Sequence, residues 1–123
     1  MLQMRRIKKY EGTEAGLSMV NAGLGPAIVT RSVVRLDGEV IGQWDYHTQQ
    51  RVVSSFPTQP KAHSLRPGAV VLAGQSTFLL SLAEFSDDEH DWFWDLITRR
   101  LVIEIGYESL YGGENFTVTP PIF

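Results

Sequence analysis

Ala27-Ile28-Val29-Thr30-Arg31-Ser32-Val33-Val34-Arg35-Leu36, followed by Asp37-Gly38 and Glu39-Val40-Ile41-Gly42-Gln43-Trp44, is the stretch that decides the fold. Ile28, Thr30, Ser32, Val34 and Leu36 alternate with Val29, Arg31, Val33 and Arg35. The run is rich in β-branched residues, which suit a pleated, half-buried surface. Asp37-Gly38 is the pair that a two-residue type I′ turn prefers, because both central residues need φ > 0. The segment after it is therefore expected to return antiparallel, making a hairpin.

Toward the N-terminus, Leu2, Met4 and Ile7 mix with Arg5, Arg6, Lys8 and Lys9. Residues 2–10 read as a basic edge strand, since positive charge on an edge discourages stray pairing. Glu11-Gly12-Thr13 reads as a turn, and residues 16–21 as a short strand. Ala22-Gly23-Leu24-Gly25-Pro26 reads as a tight turn. Toward the C-terminus, residues 51–56 are expected as a strand amid irregular chain marked by Pro57, Pro60 and Pro67. Residues 69–73 and 77–82, around Gly74-Gln75, look like a second hairpin.

A helix is expected near 87–98. Ser86 with Glu89 has capping-box spacing, Asp87 and Asp88 suit the positive end of the dipole, and Arg99 and Arg100 the other. Trp92, Phe93, Leu96 and Ile97 share one face. Residues 101–108 form a strand with Leu101, Ile103, Ile105 and Tyr107 inward. Tyr111-Gly112-Gly113 turns it into a last strand over 114–118, and Pro120-Pro121 ends regular structure. Some seven short strands with one late helix point to an all-β chain, an immunoglobulin-like antiparallel β-sandwich occupying residues 1–123 as a single β-rich domain. The alternative is an α+β arrangement, an antiparallel sheet covered by the helix.

Composition sets the outer limits. The chain has 123 residues, is 43% hydrophobic and 20% charged, and carries a net charge of −3. That is globular composition with no basic field for nucleic acid. Cysteine is absent, which removes disulfides, thiolate chemistry and cysteine-ligated metals. No apolar run approaches the roughly 18 residues of a spanning helix, so the chain as given reads as cytoplasmic.

Each candidate for chemistry has a simpler reading. Gly23-Leu24-Gly25-Pro26 is no phosphate loop, because Pro26 removes a donor and a strand follows. Asp87, Asp88, Glu89, His90 and Asp91 suit an acidic first helical turn better than a metal site. Asp45, His47 and His63 join a site only if folding converges them, with or without His90. Glu104 and Glu108 lie on an outward strand face about 13 Å apart, wide for a glycosidase pair. No Gly-x-Ser-x-Gly elbow is present. No residue is assigned as catalytic, cofactor-binding or metal-binding, and no cofactor is expected. Trp94 is the exception worth holding: it projects away from the side of Trp92 and Leu96, and an exposed large aromatic tends to mark a contact surface. It is the candidate interaction surface, with a homodimer expected through it or through an open strand edge.

Two stretches carry a resemblance. Asn21-Ala22-Gly23-Leu24-Gly25-Pro26-Ala27-Ile28, with Asp37-Gly38, and Tyr107-Glu108-Ser109-Leu110-Tyr111-Gly112 look like an uncharacterised bacterial domain with an N-x-G-x-GPA-x-I turn and a Y-x-S-x-YG strand. The resemblance implies a β-sandwich often found behind an N-terminal membrane helix, so membrane tethering if the natural chain is longer. The motifs have a structural reading in turn chemistry: Asn21 caps with its side chain, Gly23 and Gly25 supply φ > 0, Pro26 fixes the entry to the next strand, and the hydroxyls of Tyr107 and Tyr111 tie down loops. The first reading of function is a non-enzymatic binding or interaction module, with a protein partner. The alternatives are a small enzyme or metal-dependent protein using the 45–63 region, and an accessory domain of a membrane-linked system.

Overall fold

The computed structural model describes residues 1–10, 14–109 and 114–121. The alternation around Asp37 becomes a hairpin of β3 (Ala27–Leu36) and β4 (Glu39–Gly42). Asp37 has φ 52° and Gly38 φ 87°, the pair of positive values that a type I′ turn requires. The inward phase of β3 changes midway. Val29 pairs with Tyr107 but Arg31 with Gly106, so Thr30 is the extra residue of a bulge. Val29 can then point inward in company with Ser32 and Val34.

Two antiparallel sheets face each other. The first runs β1 (Leu2–Tyr10), β2 (Glu14–Asn21), β7 (Ser76–Leu82), β5 (Lys61–Ala62). The second runs β4, β3, β8 (Leu101–Ser109), β9 (Asn115–Val118), and β6 (Val70–Val71) pairs with the start of β3. The chain is therefore an all-β sandwich with helices at its crossings. Leu17 and Met19 of β2, Leu80 of β7 and Ile103 and Ile105 of β8 are fully buried between the sheets. Leu101, Ile103, Ile105 and Tyr107 all point inward, as the alternation of β8 predicts.

Three expectations are corrected. Residues 51–56 are not a strand. Residues 46–53 form helix α1 (Tyr46–Val53), whose N-cap Asp45 accepts the Thr48 N–H at 3.0 Å. The buried stripe is Thr48, Gln49, Val52 and Val53, half of it polar, so helical spacing left no hydrophobic signature. Fully buried Trp44 fixes the entry to α1, its N–H donating to Ser32 Oγ and its Nε1 to the His63 carbonyl, both at 2.8 Å.

The second hairpin does not form either. β6 joins the second sheet and β7 the first, because the turn between them is held from outside. Gly74 N–H donates to the Asn21 carbonyl at 2.8 Å, and Asn21 N–H to the Gln75 carbonyl at 2.9 Å.

The late helix begins at Asp91, not 87, as α2 (Asp91–Asp95), and passes into a π-helical turn over Leu96–Arg100. In a capping box Glu89 would accept the Ser86 N–H. Here His90 Nδ1 takes that N–H at 3.0 Å while His90 N–H returns a bond to the Ser86 carbonyl at 2.8 Å. Residues 86–90 are closed into a turn before the helix starts. Phe93, Leu96 and Ile97 still bury the expected face.

Candidate functional site

The two sequence motifs meet at one end of the sandwich, and Asn21 organises that meeting. It is fully buried, and every polar group it owns is used. Besides its two backbone bonds to the 74–75 turn, Oδ1 accepts from the Met1 nitrogen and from Gly23 N–H, each at 3.0 Å. Nδ2 donates to the carbonyls of Gly25 at 3.0 Å and Val71 at 2.9 Å. One amide thus ties the start of β1, the 22–26 turn and β6 together. Ala22 N–H adds a bond to the Met1 carbonyl at 2.7 Å.

The glycines work differently from the expectation. Neither Gly23 nor Gly25 is among the glycines with positive φ. At Gly23 the requirement is close approach, since a Cβ there would strike the Met1 nitrogen.

Around this network lies an open cavity of about 480 Å³. Its walls are Met1 and Leu2, the turn residues Leu24, Gly25, Pro26 and Ala27, and Tyr107, Ser109, Phe116 and Thr117 of the last two strands. Tyr107 and Phe116 stack with centroids 5.4 Å apart. The Tyr107 hydroxyl accepts the Leu2 N–H at 3.1 Å, tying β8 to β1 across the sandwich. Among the described residues, no carboxylate, imidazole or basic side chain lines the cavity. Leu24 is wholly exposed, Met1 61% and Phe116 41%, and Val70 and Leu72 beside the start of β3 are also open to solvent. Of the eight exposed large hydrophobics among the described residues, these five gather at this pole. Exposed apolar residues gathered in one place tend to mark an interaction site.

Of the expected site residues, Asn21, Gly23, Gly25, Pro26 and Tyr107 converge here. Asp37 and Gly38 lie at the far end of β3. There Arg100 grips Asp37 in a two-pronged pair, Nε to Oδ1 and Nη2 to Oδ2, both at 3.0 Å. Tyr111 and Gly112 lie outside the described residues. Trp94 is half-buried, with Lys8 Nζ 4.9 Å above its ring and Phe85 at 6.4 Å. It belongs to the packing between β1 and the helix. Trp92, placed by periodicity on the buried face, is also half-buried and stacks on Phe56 at 4.5 Å. Its Nε1 has no hydrogen-bond partner among the described residues.

His47 and His63 are exposed, and Asp45 is committed to its cap. Among the described residues no three His, Asp or Glu side chains are grouped to hold a metal. Met1, Leu2, Leu24, Phe116 and Thr117 enter the site without a sequence signal of their own. Only their position next to the motifs could have found them. Compared with known proteins, the chain matches no protein-family model, no curated protein and no solved structure.

Proposed function

We propose that the chain is a non-enzymatic binding module of immunoglobulin-like topology whose contact surface is the apolar pole. The observation that carries this reading is the open cavity behind Leu24, Met1 and Phe116, more apolar than polar and, among the described residues, free of charged side chains. Such walls suit desolvation of an apolar group and offer no carboxylate or imidazole for acid–base work. Its volume falls in the lower half of the roughly 300–1,000 Å³ span of ligand pockets, a size for one or two large side chains of a partner protein.

The strand orders β1-β2-β7-β5 and β4-β3-β8-β9 support the topological part. They follow the ABED and C′CFG sheets of immunoglobulin-like domains. On that assignment the pole carries the B–C connection and the adjoining ends of strands F and G, the end that such sandwiches use for recognition.

The test is an NMR titration with a small apolar probe, cyclohexanol. Saturable shifts of the Leu24, Ala27 and Phe116 signals, abolished in Leu24→Glu/Phe116→Glu, are the expected result. A folded protein whose pole signals do not move at millimolar probe defeats the reading.

A further inference from the structure

The apolar cavity does not end at the pole. A second hollow of about 390 Å³ lies between residues 2–5 of β1 and Val118, Thr119 and Pro121, and shares Leu2 with the first. A third, of about 450 Å³, lies between Arg6, Arg99 and residues 119–121, and shares Thr119 and Pro121 with the second. One wall therefore advances from Met1 to Arg6 while the other advances from Phe116 to Pro121. Sharing lining residues in turn, the hollows follow one another as a groove along the side on which β1 and β9 are the edge strands of their sheets. From Leu2 to Arg6 it runs roughly 13 Å, the span of five extended residues.

Its floor has strand-pairing capacity. Ala22 N–H bonds the Met1 carbonyl, which makes Leu2 and Asn21 a non-hydrogen-bonded pair. The same phase holds for Met4 opposite Met19 and Arg6 opposite Leu17. The peptide groups of Leu2, Met4 and Arg6 thus point away from β2, toward the groove. The Leu2 N–H is taken by Tyr107. The outward N–H and carbonyl of Met4 bond to nothing among the described residues.

The walls are also charged in one sense. Among the described residues, Arg5, Arg6 and Arg99 line the second and third hollows and no carboxylate side chain does, in a chain whose net charge is −3. Arg6 is engaged with the carbonyls of Ile97 and Pro121. Arg99, three-quarters exposed, has Asp95 only at 3.8 Å, and Arg5 reaches Gln3 at 3.4 Å.

We infer that the groove takes an extended, acidic peptide segment of a partner protein, added as a strand beside β1. One large apolar side chain fills the cavity at the pole, and carboxylates about four and six residues on meet Arg5 and Arg99. The inference rests on the pole being a binding surface and specifies what binds. A second copy is disfavoured as the occupant, because pairing β1 with its own image sets Arg5, Arg6 and Lys8 against their counterparts. A phosphate backbone or lipid surface matches the arginines but neither the apolar cavity nor the open N–H and carbonyl of Met4.

The probe is a fluorescein-labelled nonapeptide of alternating threonine and valine, with leucine at one end and two glutamates toward the other. Anisotropy and amide shifts are read on the full chain, with circular dichroism to confirm folding of each variant. Saturable binding is expected, with shifts along residues 2–6 and 116–119. Affinity should fall at least tenfold in Arg5→Glu/Arg99→Glu, two exposed positions, and when lysines replace the peptide's glutamates. No saturation by millimolar peptide overturns the inference, as does equal binding by the charge-reversed protein. Tighter binding of a thymidine oligonucleotide, of phosphatidylserine vesicles, or of the chain to itself along β1 overturns it too. Shifts confined to the pole remove the added strand and leave the apolar cavity standing, whereas failure of cyclohexanol as well removes both.

Discussion

Asn21 shows how much one residue can decide. A short amide satisfies four groups from three segments, and two of its bonds lie between residues far apart in sequence, to Met1 and to Val71. The local half of this role was legible: an asparagine before a Gly-rich turn is a capping residue. The distant half was not, because nothing in the spacing of residues 21 and 71 signals that β6 will be laid beside the start of β3. Asn21→Ala is expected to cost about 3 kcal/mol, since buried donors and acceptors left without partners cost about 1–3 kcal/mol each. Asn21→Asp, isosteric, should be no better at neutral pH, because it sets a carboxylate oxygen against the Gly25 and Val71 carbonyls. Urea melts of both variants check this, and wild-type stability in either removes Asn21 from its central position. At Gly38, with φ 87° and open space around it, the constraint is conformational alone. Gly38→Val is expected to cost about 1–3 kcal/mol.

At the scale of elements, the long strands and the late helix were readable, and helix α1 was not. Alternation is a direct consequence of pleating, so β3 and β8 appear in the sequence as written. α1 was hidden because its buried stripe includes Thr48 and Gln49, and because residues 52–53 are two valines, which favour strands. Its start signal was present in Asp45, three residues before Thr48. Asp45→Ala is expected to cost about 1 kcal/mol, the usual loss of an N-cap. Both acidic anchors also give the fold an acid limit. The Arg100 hydrogen bonds hold the Asp37 carboxyl below the usual carboxylate range, and the Thr48 backbone N–H does the same for Asp45. A carboxyl whose pKa is lower in the folded than in the unfolded chain contributes its stability above the unfolded value, near pH 4, and loses it as pH falls through the folded value. Thermal melts should therefore fall away as the pH drops below about 4. Asparagine still caps a helix and tolerates positive φ, so Asp37→Asn/Asp45→Asn should fold at pH 7 and show a shallower decline in acid. An unchanged slope would mean that other carboxylates set the limit.

On the scale of the whole molecule, the sandwich was legible from the count of strands, and the site only from its motifs. Convergence of the 21–27 turn with Tyr107 at one pole depends on strand order, which alternation does not encode. Periodicity likewise sets Trp94 off the face of Phe93, Leu96 and Ile97, yet the ring is half-buried and packs against the core. What it cannot predict is that Lys8 and Phe85 come from elsewhere to cover the ring, with Lys8 held in turn by Asp87 at 2.7 Å. Trp94→Glu should accordingly lower the melting temperature, where a wet tryptophan would have tolerated the change. Self-association then has few routes. β1 is basic, β5 has two residues and β4 four, so the sheet edges give a copy little to pair with. The pole remains, with Leu24, Met1 and Phe116 exposed together and no charged side chain among the described cavity walls. We expect a weak dimer through this face, visible by sedimentation equilibrium at hundreds of micromolar, because a patch confined to one end falls short of the roughly 1,000 Å² that a stable interface buries. Leu24→Glu/Phe116→Glu should return the weight-average mass to that of the monomer, and the acidic nonapeptide should do so by competition, since both occupy the same cavity. A wild-type chain that remains monomeric at one millimolar excludes the dimer. One that dimerises regardless of the double substitution moves the contact to another face.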